Sequence, residues 1–325
     1  MILMMTGTGD IFYNLAAEYY LAAEKQLKDT VFMLWQTWPP TLVCGRYQNV
    51  FQEVYMPYVT EKNYVVARRL SGGGTVYQDE NVFQYAFIAP SGEAQIDFGK
   101  YLEPVAKAMR ALGVPVEFNS RNDLMIGEQK VSGTAQYHTR GYVVHHGTVL
   151  YDADIKELER CLTVDAEKIR SKGIVSVRQR VVNMKQYTNG LPVDRFMAAL
   201  SRQLLGGDMQ AQMFTVEEQE RIRTLAKEKF QSWDWIFGSS PDCDMVRSGR
   251  VPGGRVEFHL SIEKGKICRC HIQGDFFTGK DLAGLTDALC HCRYAKKDLQ
   301  ECLEKADGAS YFYQVSNEEL LKILL

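Results

Sequence analysis

The chain has 325 residues, 46% hydrophobic and 24% charged, and its 38 basic side chains against 40 acidic ones leave a formal net charge of −2. That length suffices for two or three domains with substantial cores, and that charge balance excludes a global attraction to nucleic acid or to an anionic membrane. The opening MILMMTGTGD has no basic head, and no run of 18 uninterrupted apolar residues occurs anywhere, so the expected setting is cytoplasmic.

Taken in chain order, FYNLAAEYYLAAEKQLK at 12–28 repeats apolar residues at three and four and predicts an amphipathic helix. VFMLWQ at 31–36 predicts a strand, which Pro39-Pro40 interrupts before TLVCGR resumes extended structure. YVVARR at 64–69 and FQYAFIA at 83–89 are strand patterns on either side of Arg68-Arg69-Leu70-Ser71-Gly72-Gly73-Gly74-Thr75-Val76-Tyr77, so this loop belongs at a sheet edge or tip. Three successive glycines let backbone N–H groups converge on one anion, and arginine adds a permanently charged fork. The combination suits a phosphate or acyl-phosphate; a plain turn with a basic flank is the alternative.

A helix is expected over 97–112, ended by Gly113 and Pro115, then a short strand at 116–118 and a hairpin turning at Gly127 within RNDLMIGEQKVSGTAQ. HHGTVLY at 145–151 predicts a strand, and the acidic pair Asp152 and Asp154 caps a short helix through Leu162. Thr215 and Glu218 stand at capping-box spacing at the head of a surface helix over 215–231. Strands mixed with helices imply an α+β (mixed α/β) fold. SGRVPGGR at 248–255, dense in Gly, Pro and basic residues, is the expected boundary between a domain at 1–247 and a small one at 253–325, the latter with an antiparallel sheet and helices near 281–293, 296–305 and 316–325.

Neither GxxxxGK[ST] nor GxGxxG occurs, which disfavours the usual nucleotide folds, and GxSxG and HExxH are also absent. A second constellation is Asn122-Asp123 followed by Lys130-Val131-Ser132-Gly133-Thr134-Ala135. Lysine among small residues can reach a ligand as a mobile point charge, with Ser132 and Thr134 as neutral donors; Asp123 is either a Mg²⁺ ligand or a turn residue. In His145-His146-Gly147-Thr148 the imidazoles point to opposite faces of a strand, so one is expected to line a pocket and the other to sit in the core. The basic stretch with Lys168, Lys172-Gly173, Ser176-Val177-Arg178 and Arg180 is either a solvated face or a lid that closes over an anion. The eight cysteines are scattered, as reduced thiols are. Cys268-Arg269-Cys270-His271 and Cys290-His291-Cys292 could form a zinc site only if folding joined them; strand alternation is the simpler account of the first.

In this order the segments resemble those of the lipoate-protein ligases, of the biotin/lipoate ligase superfamily. RRLSGGGTVYQD, RNDLMIGEQKVSGTA, HHGTVL and KIRSKGIVSVRQRVVN are each similar to a family motif, as are NLAAE at 14–18 and GRYQN at 45–49, so the match runs from about 12 to 184 and extends toward Phe237–Pro241. The resemblance implies a large mixed sheet flanked by helices and, in the long form, a small C-terminal domain. It also implies ATP-dependent adenylation of lipoate with Mg²⁺, then transfer of the lipoyl group to a lysine of an acceptor: an E2 lipoyl domain, a glycine-cleavage H protein or an H-like carrier. Lys130 is then the catalytic cation between carboxylate and α-phosphate, with Asp123 the Mg²⁺ ligand. The substrate and adenylate would be held by Arg69, Ser71, Gly72, Gly73, Gly74, Val76, Tyr77, Gln78, Asn122, Ser132, Gly133, Thr134, Ala135, His146, Gly147, Lys172 and Arg180, and Leu70, Val76 and Tyr77 would house the acyl chain. One departure is plain: Gln78 stands where the family has histidine, which implies altered acyl or acceptor recognition.

Two rival readings remain at this point. An ATP-independent octanoyl or lipoyl transferase of the same superfamily would need an activated cysteine, for which Cys44 and Cys161 are the candidates. A non-catalytic relative with a metal-responsive C-terminal domain would rest on the two cysteine–histidine clusters.

Overall fold

The computed structural model describes the whole chain except residues 92–94, 120, 163–179, 208–209, 239–244 and 264. Among the described residues ten strands precede the C-terminal unit: β1 (Ile2–Met5), β2 (Val31–Gln36), β3 (Thr41–Cys44), β4 (Val65–Arg68), β5 (Val76–Gln78), β6 (Val82–Pro90), β7 (Glu117–Phe118), β8 (Asp123–Ile126), β9 (Gln129–Thr139) and β10 (Tyr142–Leu150). Seven of them form one mixed sheet in the order β1-β2-β6-β10-β9-β8-β7, parallel at β1/β2 and antiparallel elsewhere. The remaining three form a small sheet, β4-β3-β5, which carries the glycine loop between β4 and β5. The fold is the mixed α/β one expected, but β1 and the short β5 were not foreseen, because four and three residues are too few to show a period.

Side chains alternate across the large sheet and are buried on both faces. Phe32, Leu34, Phe83, Tyr85 and Phe87 pack under the helices Gly99–Ala111 and Val193–Leu205. Met33, Trp35, Ala86, Ile88 and Val144 face the other way, toward the first helix, Ile11–Tyr20, and the helix Val216–Leu225. Asp10 caps the first helix by accepting from Phe12 N at 2.9 Å, and the small Ala16, Ala17 and Ala22, all 0% exposed, let it lie close on the sheet. It ends earlier than expected, in a π turn over Leu21–Lys25 closed by Gln26 in the left-handed region at φ 49°. The Thr215/Glu218 capping box forms as expected, and Asp154 caps the helix Ile155–Cys161.

The C-terminal unit is a three-stranded antiparallel sheet of β11 (Met245–Val251), β12 (Gly254–Glu263) and β13 (Lys266–Gly274), covered by the helices Ala283–Leu289, Lys296–Lys305 and Asn317–Leu324. Residues 248–255, expected to link two domains, instead form the turn end of the β11–β12 hairpin, so β11 belongs to this sheet. The Gly and Pro that suggested a linker supply its turn, with Val251 paired to Gly254. Cys270 and Ile272 join the core of the unit while Arg269 and His271 are exposed, which is strand alternation. Among the described residues no three His, Cys, Asp or Glu side chains form a metal site, and no helix is long and apolar enough to cross a membrane.

Candidate active site

The glycine loop lies over the face of the large sheet that carries the first helix, and a cavity separates them. Its floor can be followed by register. Gly133 of β9 is opposite Thr148 of β10, Thr148 opposite Gln84 of β6, and Gln84 opposite Trp35 of β2. Three strand spacings of about 4.8 Å make this row about 14 Å long. Lys130 and Asn122 line one end, and Trp35 and Gln78 the other; Ile11, Leu15, Val43 and Val76 supply apolar wall between them.

At the first end, Lys130 Nζ lies 2.7 Å from Asp123 Oδ1. The lysine side chain is 37% exposed, and it lies across Gly133, where a Cβ would come 2.5 Å from Nζ. Only glycine at 133 leaves that path open. Asn122 and Thr134 hold one another: Asn122 Nδ2 donates to Thr134 O at 2.8 Å, and Thr134 Oγ1 donates to Asn122 O at 2.9 Å. At the far end, Thr37 Oγ1 donates to Gln78 Oε1 at 2.9 Å, and the glutamine is buried.

The two loop arginines have different partners from a ligand. Arg68 is 1% exposed and braces neighbouring segments by donating to the carbonyls of Gly45, Arg46, Gln48 and Ile236, away from the cavity. Arg69 lines the cavity but donates to Val43 O, Gly72 O, Gly74 O and Ser71 Oγ. Burial lowers the pKa of both, that of Arg69 to about 10. Gly73, at φ 89°, turns its N–H toward the C-terminal unit and donates to Phe276 O at 3.0 Å, while the adjoining Phe277 lines the cavity.

The histidine pair divides as the alternation predicts. His145 is in the core, stacked on Tyr101 at 5.0 Å and 24°, and burial lowers its pKa to about 3. His146 lines the cavity, with Nε2 2.7 Å from Ser71 Oγ and Nδ1 2.9 Å from Glu18 Oε2.

Of the residues expected at a site, Arg69, Gly73, Gly74, Val76, Gln78, Asn122, Lys130, Gly133, Thr134, Ala135, His146 and Gly147 line this one cavity. Ser71 and Gly72 stand behind them through their bonds to Arg69. Tyr77 does not reach the cavity: alternation along β5 turns it into a cluster with Leu42 and Cys44. Ser132 is likewise turned to the opposite face, where it is 0% exposed, and Arg180 is exposed outside the lining. Lys172, with Lys168, Gly173, Ser176, Val177 and Arg178, lies outside the described residues. Sequence reasoning missed Glu18, Trp35, Gln84 and Phe277, and the apolar wall of Ile11, Leu15 and Val43. Of these Glu18 had a visible signal, as a charge on the largely apolar buried face of a helix.

Cys44 and Cys161, the candidate thioester nucleophiles, are both 0% exposed and outside the lining. Burial raises both thiols, that of Cys161 to about 11, which is the reverse of activation.

Residues 10–205 match the lipoyl protein ligase A/B catalytic domain, and residues 240–324 match the bacterial lipoate protein ligase C-terminus. The lipoate-protein ligase LplJ of Bacillus subtilis is 34% identical over 317 residues, covering 96% of each chain. Among solved structures, P. falciparum LipL1 in complex with lipoate superposes with a TM-score of 0.80 at 19% identity, covering 99% of this chain and 97% of that one. A Thermoplasma acidophilum bipartite lipoate protein ligase, solved in a study with its E2 lipoyl domain, gives 0.64 at 24% identity over 75% and 98% of the two chains. Lipoate-protein ligase A bound with ATP gives 0.63 at 23% identity, over 74% and 100%. With a catalytic domain and a C-terminal domain both matched, and a relative 34% identical over nearly the full length of both chains, the chain belongs to the lipoate-protein ligases.

Proposed function

We propose that the cavity activates lipoate with ATP and then passes the lipoyl group to a lysine of an acceptor protein. One observation carries this reading: a lysine is held over a glycine at the polar end of a channel that runs about 14 Å under an apolar wall. In the first step a carboxylate oxygen attacks the α-phosphorus of ATP and the bond to pyrophosphate breaks. Two anions must approach, and at 4 Å in a partly hydrated site their repulsion is about 4 kcal/mol. Lys130, between them, offsets that repulsion and the charge that develops as they join. In the second step the acceptor amine nitrogen attacks the acyl carbon, AMP leaves and the amine releases a proton. A mixed anhydride needs placement more than a protein nucleophile.

Val76, Trp35, Ile11 and Leu15 form the wall along which the acyl chain lies, and Gln78 meets its far end, where the amide changes recognition relative to a histidine. The donor set fits a Mg²⁺ carried mainly by the phosphates, with Asp123 as its protein carboxylate, since Mg²⁺ keeps most of its ligands outside the protein in such sites. It would screen the leaving pyrophosphate. The accessory unit, which we take to begin ahead of β11, closes the loop side through Phe276 and Phe277. An E2 lipoyl domain, a glycine-cleavage H protein or an H-like carrier fits as acceptor, in a cytoplasmic setting where thiols stay reduced. The test is incubation with lipoate, ATP and Mg²⁺, followed by intact-mass analysis of candidate acceptors. Pyrophosphate release and a mass increase of one lipoyl group are expected; no pyrophosphate release would sink this reading.

A further inference from the structure

A buried charge needs a compensating one. Arg69 is 7% exposed, and among the described residues no carboxylate touches it. Burial dominates its electrostatics, and among the weaker charge effects on it the carboxylate that acts is Glu18, on the first helix and 1% exposed. The two are joined by a chain of short bonds: Glu18 Oε2 to His146 Nδ1 at 2.9 Å, His146 Nε2 to Ser71 Oγ at 2.7 Å, and Arg69 Nε to Ser71 Oγ at 3.0 Å.

Proton bookkeeping sets the direction of each bond. The guanidinium Nε–H can only donate, so Ser71 Oγ accepts from Arg69. The hydroxyl proton of Ser71 then goes to its other partner, His146 Nε2, which must present a lone pair. The ring proton therefore sits on Nδ1 and is donated to Glu18. Charges of opposite sign stand at the two ends, and the middle is neutral. If the ring instead carried its proton on Nε2, Ser71 would receive two donors and its own proton would lack an acceptor in a site 1% exposed, an arrangement that buried hydroxyls avoid.

We propose that Glu18 is a positioning residue: by holding His146 as the Nδ1–H tautomer it orients Ser71 and Arg69, and through Arg69 the carbonyls of Gly72 and Gly74, so that the glycine loop offers one conformation to the acyl group. This rests on the ligase reading and assigns a role within that site to a residue outside the cavity lining. A wall set in this way binds the acid and its adenylate alike. Its loss raises KM for lipoate and leaves kcat largely unchanged.

The test combines a spectroscopic readout with kinetics on the full chain. With ¹⁵N-histidine labelling, and His146→Gln to assign the signals, wild type at pH 7.5 is expected to show His146 protonated on Nδ1 and unprotonated on Nε2. Glu18→Ala should lose that tautomer, and Glu18→Gln, which keeps an oxygen facing Nδ1, should retain it. In lipoate-dependent pyrophosphate release, Glu18→Ala should raise KM for lipoate about tenfold with kcat within about threefold and KM for ATP unchanged, while Glu18→Gln stays within about threefold of wild type. An Nε2–H or doubly protonated ring in wild type overturns the proposal. So does a Glu18→Ala variant with unchanged KM, or a Glu18→Gln variant as impaired as alanine. Should Glu18→Ala not fold, the wild-type tautomer and the glutamine variant still decide. Should wild type release no pyrophosphate, the ligase reading fails while the tautomer result stands on its own.

Discussion

Removing the Lys130 ammonium should separate catalysis from folding. Among the described residues its only ion pair is with Asp123 at 2.7 Å, and the two side chains are 37% and 21% exposed. A pair that open to solvent contributes about 0–1 kcal/mol, and no core cluster includes Lys130, so Lys130→Ala should melt close to wild type. Its effect on the first chemical step should be far larger. The ammonium offsets a repulsion of about 4 kcal/mol between carboxylate and α-phosphate, and 1.36 kcal/mol corresponds to a factor of ten in rate. Discounting for solvent at this exposure leaves an expected loss of about 10²–10³-fold. The assay is single-turnover formation of lipoyl-AMP from lipoate and ATP, run beside transfer from synthetic lipoyl-AMP to an acceptor. Adenylation should fall by that factor, and transfer from the preformed adenylate should fall less. A loss under tenfold in adenylation, or a melting temperature lowered enough to explain the loss, would refute the assignment.

Gly133→Ala places a methyl group 2.5 Å from Lys130 Nζ and should push the ammonium aside, lowering adenylation at least tenfold with little change in melting; unchanged single-turnover rates would show that Lys130 has other paths. Gln78→His should alter the ratio of lipoate to octanoate use, or the choice of acceptor, with adenylation preserved, and identical substrate profiles would discard the idea. His145 yields an acid-sensitivity prediction. Burial lowers its pKa to about 3, below the ordinary value of 6.5, so its contribution is fully present above pH 6.5 and declines as pH falls from there toward 3. At pH 5 the loss is about 2 kcal/mol. His145→Phe should therefore close the gap between melting temperatures at pH 7.5 and pH 5, and an undiminished gap would contradict a neutral, buried ring.

Much of the site was legible before folding because its chemistry depends on local sequence. Three glycines in a row, lysine three residues ahead of glycine, and histidine beside glycine each serve a backbone approach or a side-chain path that works over a few residues. The errors came where side-chain direction depends on strand phase. Tyr77 and Val76 are neighbours, yet only Val76 lines the cavity, and Ser132 is turned away while its neighbour Gly133 lines it. A linker and a hairpin share Gly and Pro, so 248–255 could be told apart only by the pairing of Val251 with Gly254.

By itself the sequence determined the family, the mixed α/β fold, the principal strands and the cluster of small and basic residues, since periodicity and motif spacing are properties of neighbouring residues. Only the tertiary structure decided what each charge does. It made Arg68 a brace, placed Lys130 across Gly133, and joined Glu18 to Arg69 through residues 53 to 128 positions away from Glu18 in the chain. It also brought Phe276 and Phe277 of the C-terminal unit to the glycine loop. Such pairings are made by strand register and sheet packing, which unite residues distant in sequence, and no local pattern encodes them.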